Sequence, residues 1–134
     1  MAVCYLGVGA NLGGRRKNIA AALEKIKQLP DTRVVRVAKI IETQPVGGPK
    51  IQPRFLNTVL KIKTKLEPYF LLRKLKKIER ELGRKKTALR YGPRPIDLDI
   101  LFYADRIINS KELVIPHPKI FQREFVLKPL LELL

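Results

Sequence analysis

The spacing of apolar residues changes period several times along the chain, and each change marks an element. Val3 to Val8 is apolar and β-prone, which predicts a strand. It runs into Gly7-Val8-Gly9-Ala10-Asn11-Leu12-Gly13-Gly14, a stretch that reads first as a turn because glycine tolerates backbone conformations other residues resist. Ile19, Leu23 and Ile26 then recur at helical spacing with Ala20, Ala21 and Ala22 between them, and Pro30 closes the segment, so a helix is expected over Arg16 to Leu29. Val34 to Thr43, rich in Val and Ile, predicts a second strand.

Gln44 to Arg54 carries three prolines and two glycines without apolar periodicity, so it is expected to be a loop of the kind that serves binding, and to act as a lid. In the next strand, Phe55 to Thr64, alternation puts Leu56, Leu60 and Ile62 on one face and Phe55 and Asn57 on the other. Pro68 opens a second helix with Leu71, Leu75, Ile78 and Leu82 as its apolar stripe, and Gly83 stands where a helix end favours a left-handed residue. A loop from Arg84 to Pro95 leads to a fourth strand, Ile96 to Tyr103, followed by Pro116-His117-Pro118 and a short apolar segment from Phe125.

The order β-α-β-β-α-β predicts an α+β, ferredoxin-like antiparallel sheet with both helices on one face, plus a short C-terminal extension, all in one domain over residues 1–134. The opposite face is expected to be free for ligands. The plan hosts RNA binders, hydrolases and transferases alike, so activity must be read from side chains.

Charge narrows the classes of partner. Lys and Arg number 28 against 12 Asp and Glu, a formal +16, which favours nucleic acid, a membrane surface or a polyanionic small molecule; scattered lysines also read simply as solvated surface. The apolar runs are far shorter than the roughly 18 to 20 residues of a membrane span, and the start lacks a basic then apolar leader pattern, so a cytoplasmic protein is expected. The single cysteine, Cys4, lies in an apolar run and reads as inert packing.

Asp97 and Asp99 flank Leu98 in an apolar strand, which projects both carboxylates from one face with Cα atoms roughly 6.5–7 Å apart. Such a pair suits Mg²⁺ with a bound polyphosphate, and it equally suits a solvated strand face. The preceding Arg90-Tyr91-Gly92-Pro93-Arg94, with Arg84 and Lys85-Lys86, favours the phosphate reading, because guanidinium groups pair with phosphate oxygens in bidentate fashion. His117, stiffened between prolines, is expected at the surface and able to donate to a phosphate; Glu79 reads as a solvated helix acid paired to a lysine. The glycine stretch near the start completes neither a Walker loop nor a dinucleotide fingerprint.

Arg90-Tyr91-Gly92-Pro93-Arg94-Pro95-Ile96-Asp97-Leu98-Asp99-Ile100-Leu101 resembles the signature of the 6-hydroxymethyl-7,8-dihydropterin pyrophosphokinases of folate biosynthesis. Supporting matches are Gly9 to Gly13, Phe55-Leu56-Asn57, Glu79 to Arg84, and Pro116-His117-Pro118 through Arg123-Glu124-Phe125-Val126-Leu127. Two Mg²⁺ ions on Asp97 and Asp99 are what the resemblance implies, with ATP giving its pyrophosphate to the pterin hydroxymethyl oxygen and AMP leaving. It implies that Arg84 and Arg94 join the two aspartates in catalysis, and that Glu79, Ile100, His117 and Arg123 contact ATP alongside those arginines. It also implies a pterin ring between Phe55 and Phe125, with Asn57, Thr43, Pro45 and Val46 reading its edge, and a monomer with small-molecule partners, no nucleic acid and no membrane. The departures are a loop between Thr43 and Asn57 slightly longer than in some relatives, an end at Leu134 where many continue, and Tyr91 where many relatives carry Trp. The rival from another class is a basic RNA-binding domain on the same fold; the chain lacks the aromatic motif such a domain carries, and two strand aspartates would repel a phosphate backbone.

Overall fold

The computed structural model describes residues 1–44, 53–84, 94–120 and 124–133, the side chains of 124 and 125 excepted. Its main sheet has the order β2-β4-β1-β5, built from β1 (Ala2–Ala10), β2 (Thr32–Val37), β4 (Phe55–Thr64) and β5 (Asp97–Tyr103), and β3 (Ile41–Thr43) also pairs with β4. Every pairing is antiparallel. Helices α1 (Arg15–Lys27) and α2 (Pro68–Glu81) supply the two crossovers, which gives the ferredoxin-like arrangement expected from the element order. A small hairpin, β6 (Ile108–Asn109) with β7 (Val114–Ile115), and a final helix α3 (Glu124–Leu133) complete the described elements.

The core lies between the sheet and α1 and α2. Cys4, Leu6, Val8 and Ala10 of β1, Leu56, Leu60 and Ile62 of β4, and Leu98 and Ile100 of β5 meet Ile19, Ala22 and Ile26 of α1 and Leu71, Leu75 and Ile78 of α2. The alternation read for Phe55 to Thr64 is thus realised on both faces. Burial pushes the Cys4 thiol up to about 12, in keeping with inert packing.

Three readings of the sequence need correction. The segment Val34 to Thr43 is two strands, because the chain leaves the ladder at Ala38, whose N–H and C=O bond Val59 O and Thr58 Oγ1 at 3.0 and 2.7 Å. The glycine stretch is strand as far as Ala10, so Gly7 and Gly9 belong to β1 and only the residues after Ala10 turn. The second face of the sheet is half covered: α3 packs Leu130 and Leu133 on Val59, Leu101, Ala38 and Ile120, leaving the end that carries Asp97, Asp99 and Asn57. Alternation from Asp97 and Asp99 carries Leu101 into that second cluster, and a bulge in the β1–β5 ladder between Tyr5 and Leu6 brings Phe102 against it as well.

Among the described residues, no helix is long and apolar enough to cross a membrane.

Candidate active site

Alternation along three neighbouring strands builds the floor of the site. Gly9 of β1 registers with Asn57 of β4 on one side and Asp97 of β5 on the other; Gly7 registers with Val59 and Asp99. Two aspartates, an asparagine and a phenylalanine therefore stand around a strip of β1 that has no side chains on that face. A cavity of about 430 Å³ opens over this strip and continues past β5, the last strand of the sheet, to α2 and the β6–β7 hairpin. Its lining falls into two groups: Gly7, Gly9, Phe55 and Asn57 over the sheet, and Leu72, Lys76, Ile100, Leu113 and His117 beyond it. Asp97 and Asp99 line the cavity between these groups.

The end of α2 delivers Arg84 to Asp97. Gly83 adopts φ +100°, a value that favours glycine, and the Arg84 N–H closes back on the Glu79 carbonyl at 3.0 Å as in a Schellman cap. The reversed chain sets Arg84 Nη1 2.6 Å from Glu79 Oε2 and 2.7 Å from Asp97 Oδ1. Arg94 Nη1 approaches the same Asp97 oxygen at 3.5 Å. Burial works against the Arg84 charge, but Asp97 and Glu79 outweigh it and hold its pKa above the ordinary value.

Glu79 is not the solvated helix acid its position in the sequence suggested. It is 5% exposed, and its Oε2 accepts from the Leu98 N–H at 2.8 Å as well as from Arg84, joining α2 to the strand residue between the two aspartates. Burial raises its pKa, while the Leu98 hydrogen bond and Arg84 pull it back.

Asn11 performs a similar service for the loops. Fully buried at the end of β1, it accepts from the Arg94 N–H at 2.7 Å through Oδ1, donates from Nδ2 to Pro53 O at 3.1 Å, and donates its own N–H to Arg94 O at 3.0 Å. One asparagine thus ties the segment entering β4 to the segment entering β5. Arg94 Nε is buried with no hydrogen-bond partner among the described residues, a costly state for a cationic donor that an anion would relieve.

Of the residues proposed from the sequence, Phe55, Asn57, Glu79, Arg84, Arg94, Asp97, Asp99, Ile100 and His117 all line this cavity. Thr43 stands behind it, accepting from Asn57 Nδ2 at 2.7 Å. His117 is half-buried rather than surface-exposed, with its N–H on Leu101 O at 2.9 Å and its Nδ1 accepting from the Lys119 N–H at 3.2 Å. Pro45, Val46 and Arg123, and the side chain of Phe125, lie outside the described residues. Sequence reasoning missed Gly7 and Gly9 as the floor, Asn11 as the loop tie, and Leu72, Lys76 and Leu113 as lining. The i, i+2 spacing of Gly7 and Gly9 inside a β-prone run was the signal for the floor.

No group of three or more His, Cys, Asp or Glu side chains gathers to hold a metal among the described residues. Asp97 and Asp99 alone fit a Mg²⁺ site of the kind completed by substrate phosphates and water, not a self-sufficient protein cage.

Fold and site together define a ferredoxin-like domain with a carboxylate–arginine centre on the open end of its sheet. Comparison with known proteins narrows this further. The chain belongs to the family described as 7,8-dihydro-6-hydroxymethylpterin-pyrophosphokinase (HPPK), whose profile matches residues 5–134. It is 49% identical over 129 residues to a folate synthesis bifunctional protein of Arabidopsis thaliana, covering 96% of this chain and 26% of that one. It is 44% identical over 133 residues to a 2-amino-4-hydroxy-6-hydroxymethyldihydropteridine pyrophosphokinase of Aquifex aeolicus, covering 99% of this chain and 81% of the relative. The corresponding Bacillus subtilis enzyme is 40% identical over 131 residues, with 98% and 77% covered. A solved structure titled as HPPK-DHPS in complex with substrates superposes with a TM-score of 0.69 over 95% of this chain and 39% of that one; at 14% identity it supports the fold alone. Neither the family nor these relatives support the RNA-binding alternative.

Proposed function

We propose that the chain transfers pyrophosphate from MgATP to the hydroxymethyl group of 6-hydroxymethyl-7,8-dihydropterin, releasing AMP. The observation that carries this reading is the centre at Asp97: one carboxylate held by two arginines, a second on the same face at Asp99, and a buried Arg94 Nε awaiting an acceptor. Family membership and the relatives named for this reaction support it.

In this reading the acceptor lies over Gly7 and Gly9 against Phe55 and Asn57, with Phe125 as its second aromatic and Thr43, Pro45 and Val46 at its edge. The nucleotide takes the other part of the cavity, by Glu79, Ile100, His117 and Arg123. Two Mg²⁺ ions held by Asp97 and Asp99 would supply charge neutralisation on the triphosphate. Arg84 and Arg94, already gathered at Asp97, turn their donors to the phosphate oxygens, where charge builds as the bond from the β-phosphorus to AMP breaks. Glu79 holds Arg84 and the Leu98 N–H, so its part is to position an arginine and a strand rather than to touch the reacting atoms. The 134 residues form one such domain, acting as a monomer on small molecules.

Nucleotide analysis after incubation with MgATP, with and without the reduced pterin, tests the reading. Pterin-dependent AMP is expected; ADP, or no product from folded protein, overturns it.

A further inference from the structure

Gly7 and Gly9 look equivalent in sequence, and the structure separates them. A Cβ placed on Gly9 stands 2.7 Å from Asn57 Oδ1 and 3.6 Å from Phe55 Cδ1, whereas a Cβ on Gly7 meets nothing nearer than the Leu101 side chain at 3.5 Å. The first distance is far inside contact; the second is ordinary van der Waals spacing. Asn57 has little room to yield, being 7% exposed with its Nδ2 committed to Thr43 Oγ1 at 2.7 Å. Turning the carboxamide away from a new methyl group breaks that bond and rotates the donor and acceptor it offers to the cavity. The atom displaced is the end of a side chain, not backbone, so the strain falls on the site and leaves the sheet ladder in place.

We propose that Gly9 is a specificity-determining residue for the acceptor: its missing side chain fixes the orientation of the Asn57 carboxamide, and through it selects a ring with a hydrogen-bonding edge. This rests on the assignment of Phe55 and Asn57 to the acceptor. It goes beyond that assignment by naming a residue that touches the site only through an absence. The proposed reading puts the nucleotide beyond β5, by Ile100 and His117, so the effect of filling position 9 falls on the acceptor alone.

The test compares Gly9→Ala, Asn57→Ala and the double variant Gly9→Ala/Asn57→Ala by titration with 6-hydroxymethylpterin and, separately, with a magnesium complex of a non-hydrolysable ATP analogue. Gly9→Ala weakens pterin binding by at least about tenfold and leaves nucleotide binding within about twofold. In the Asn57→Ala background the added methyl group costs no further pterin affinity, because its clash partner is gone. A merely structural role for Gly9 predicts instead a parallel loss of both ligands and a lowered thermal midpoint. Wild-type pterin affinity in Gly9→Ala, equal loss of both ligands, or additive losses in the double variant each overturn the proposal. If Gly9→Ala does not fold, the double variant against Asn57→Ala decides the question alone. Wild-type protein that binds the nucleotide analogue but no pterin sinks the acceptor assignment first, an outcome distinct from all of these.

Discussion

The two faces of β5 differ by one residue in sequence and by everything in environment. Leu98 and Ile100 enter the core under α1 and α2, while Asp97 and Asp99 line the cavity on the other side of the same strand. β4 repeats the division, with Leu56 inward and Phe55 and Asn57 outward, and β1 repeats it with Val8 and Ala10 inward and the side-chain-free Gly7 and Gly9 outward. One face is a packed apolar layer whose residues are interchangeable in kind. The other, where α3 leaves it uncovered, is an open layer whose residues are fixed by chemistry or, at the glycines, by the space they leave. Over that uncovered end, stability and reaction are thus sorted by the parity of the residue number along each strand, apart from Ile100, which meets the cavity from the core side.

The sharpest way to break that comparison is to remove a carboxylate. Asp97→Ala and Asp99→Ala each reduce pterin-dependent AMP formation by about a thousandfold or more, the scale of losing a preorganised electrostatic contact at a transition state. Circular dichroism and the thermal midpoint stay near those of the wild type, because neither aspartate belongs to the core and Arg84 keeps its bond to Glu79. Substantial turnover in either variant refutes the assignment of the pair; unfolding of either refutes the division between faces.

Leu98→Ala asks the same question from the other side. Leu98 is 4% exposed in the helix-facing cluster, and its truncation costs about 2–5 kcal/mol of stability in urea denaturation, the usual range for a large-to-small core change. The protein that remains folded keeps most of its turnover per molecule. A destabilisation below 1 kcal/mol, roughly the surface level, would show that β5 is not held by this layer.

Much of this sorting is legible in the amino-acid sequence, and what is not has a common cause. Asp97 and Asp99 can be placed on one face because a strand of period two leaves no other choice, and Phe55 and Asn57 follow by the same rule. Glycine is silent under such a rule: with no side chain to place, Gly7 and Gly9 read as turn, and only the ladder to β4 and β5 puts them beneath the cavity. Asn11 and Glu79 escape it for another reason, since the partners that define them lie 42 and 83 residues away for Asn11 and 19 for the Leu98 N–H on Glu79. Local pattern contains no term for contacts of that range. The cover of α3 over half of the second face likewise depends on tertiary packing, which the apolar run from Phe125 hints at without giving it a place.

Glu79 crosses between the two regions, and it carries the subtlest expected effect. The buried side chain prefers its neutral form relative to an exposed carboxyl, so its folded pKa lies above the ordinary 4.5, even with Arg84 and the Leu98 N–H favouring the charged form. A group whose pKa rises on folding binds its proton more tightly in the native state, so the stability it contributes is fully present below pH 4.5 and is lost as pH climbs through the raised folded value. Glu79→Gln removes this titration while retaining an oxygen for the Leu98 N–H. The difference in urea-denaturation free energy, wild type minus Glu79→Gln, therefore declines as pH rises from about 4.5 and then levels off. A difference that rises over that interval would mean that Arg84 outweighs burial, and that the carboxylate is held charged by the arginine it positions. The same variant also bears on function, because a looser Arg84 lowers turnover with unchanged pterin affinity, whereas a Glu79 in direct contact with nucleotide would weaken nucleotide binding itself. Separate titrations with the ATP analogue and with 6-hydroxymethylpterin distinguish the two roles.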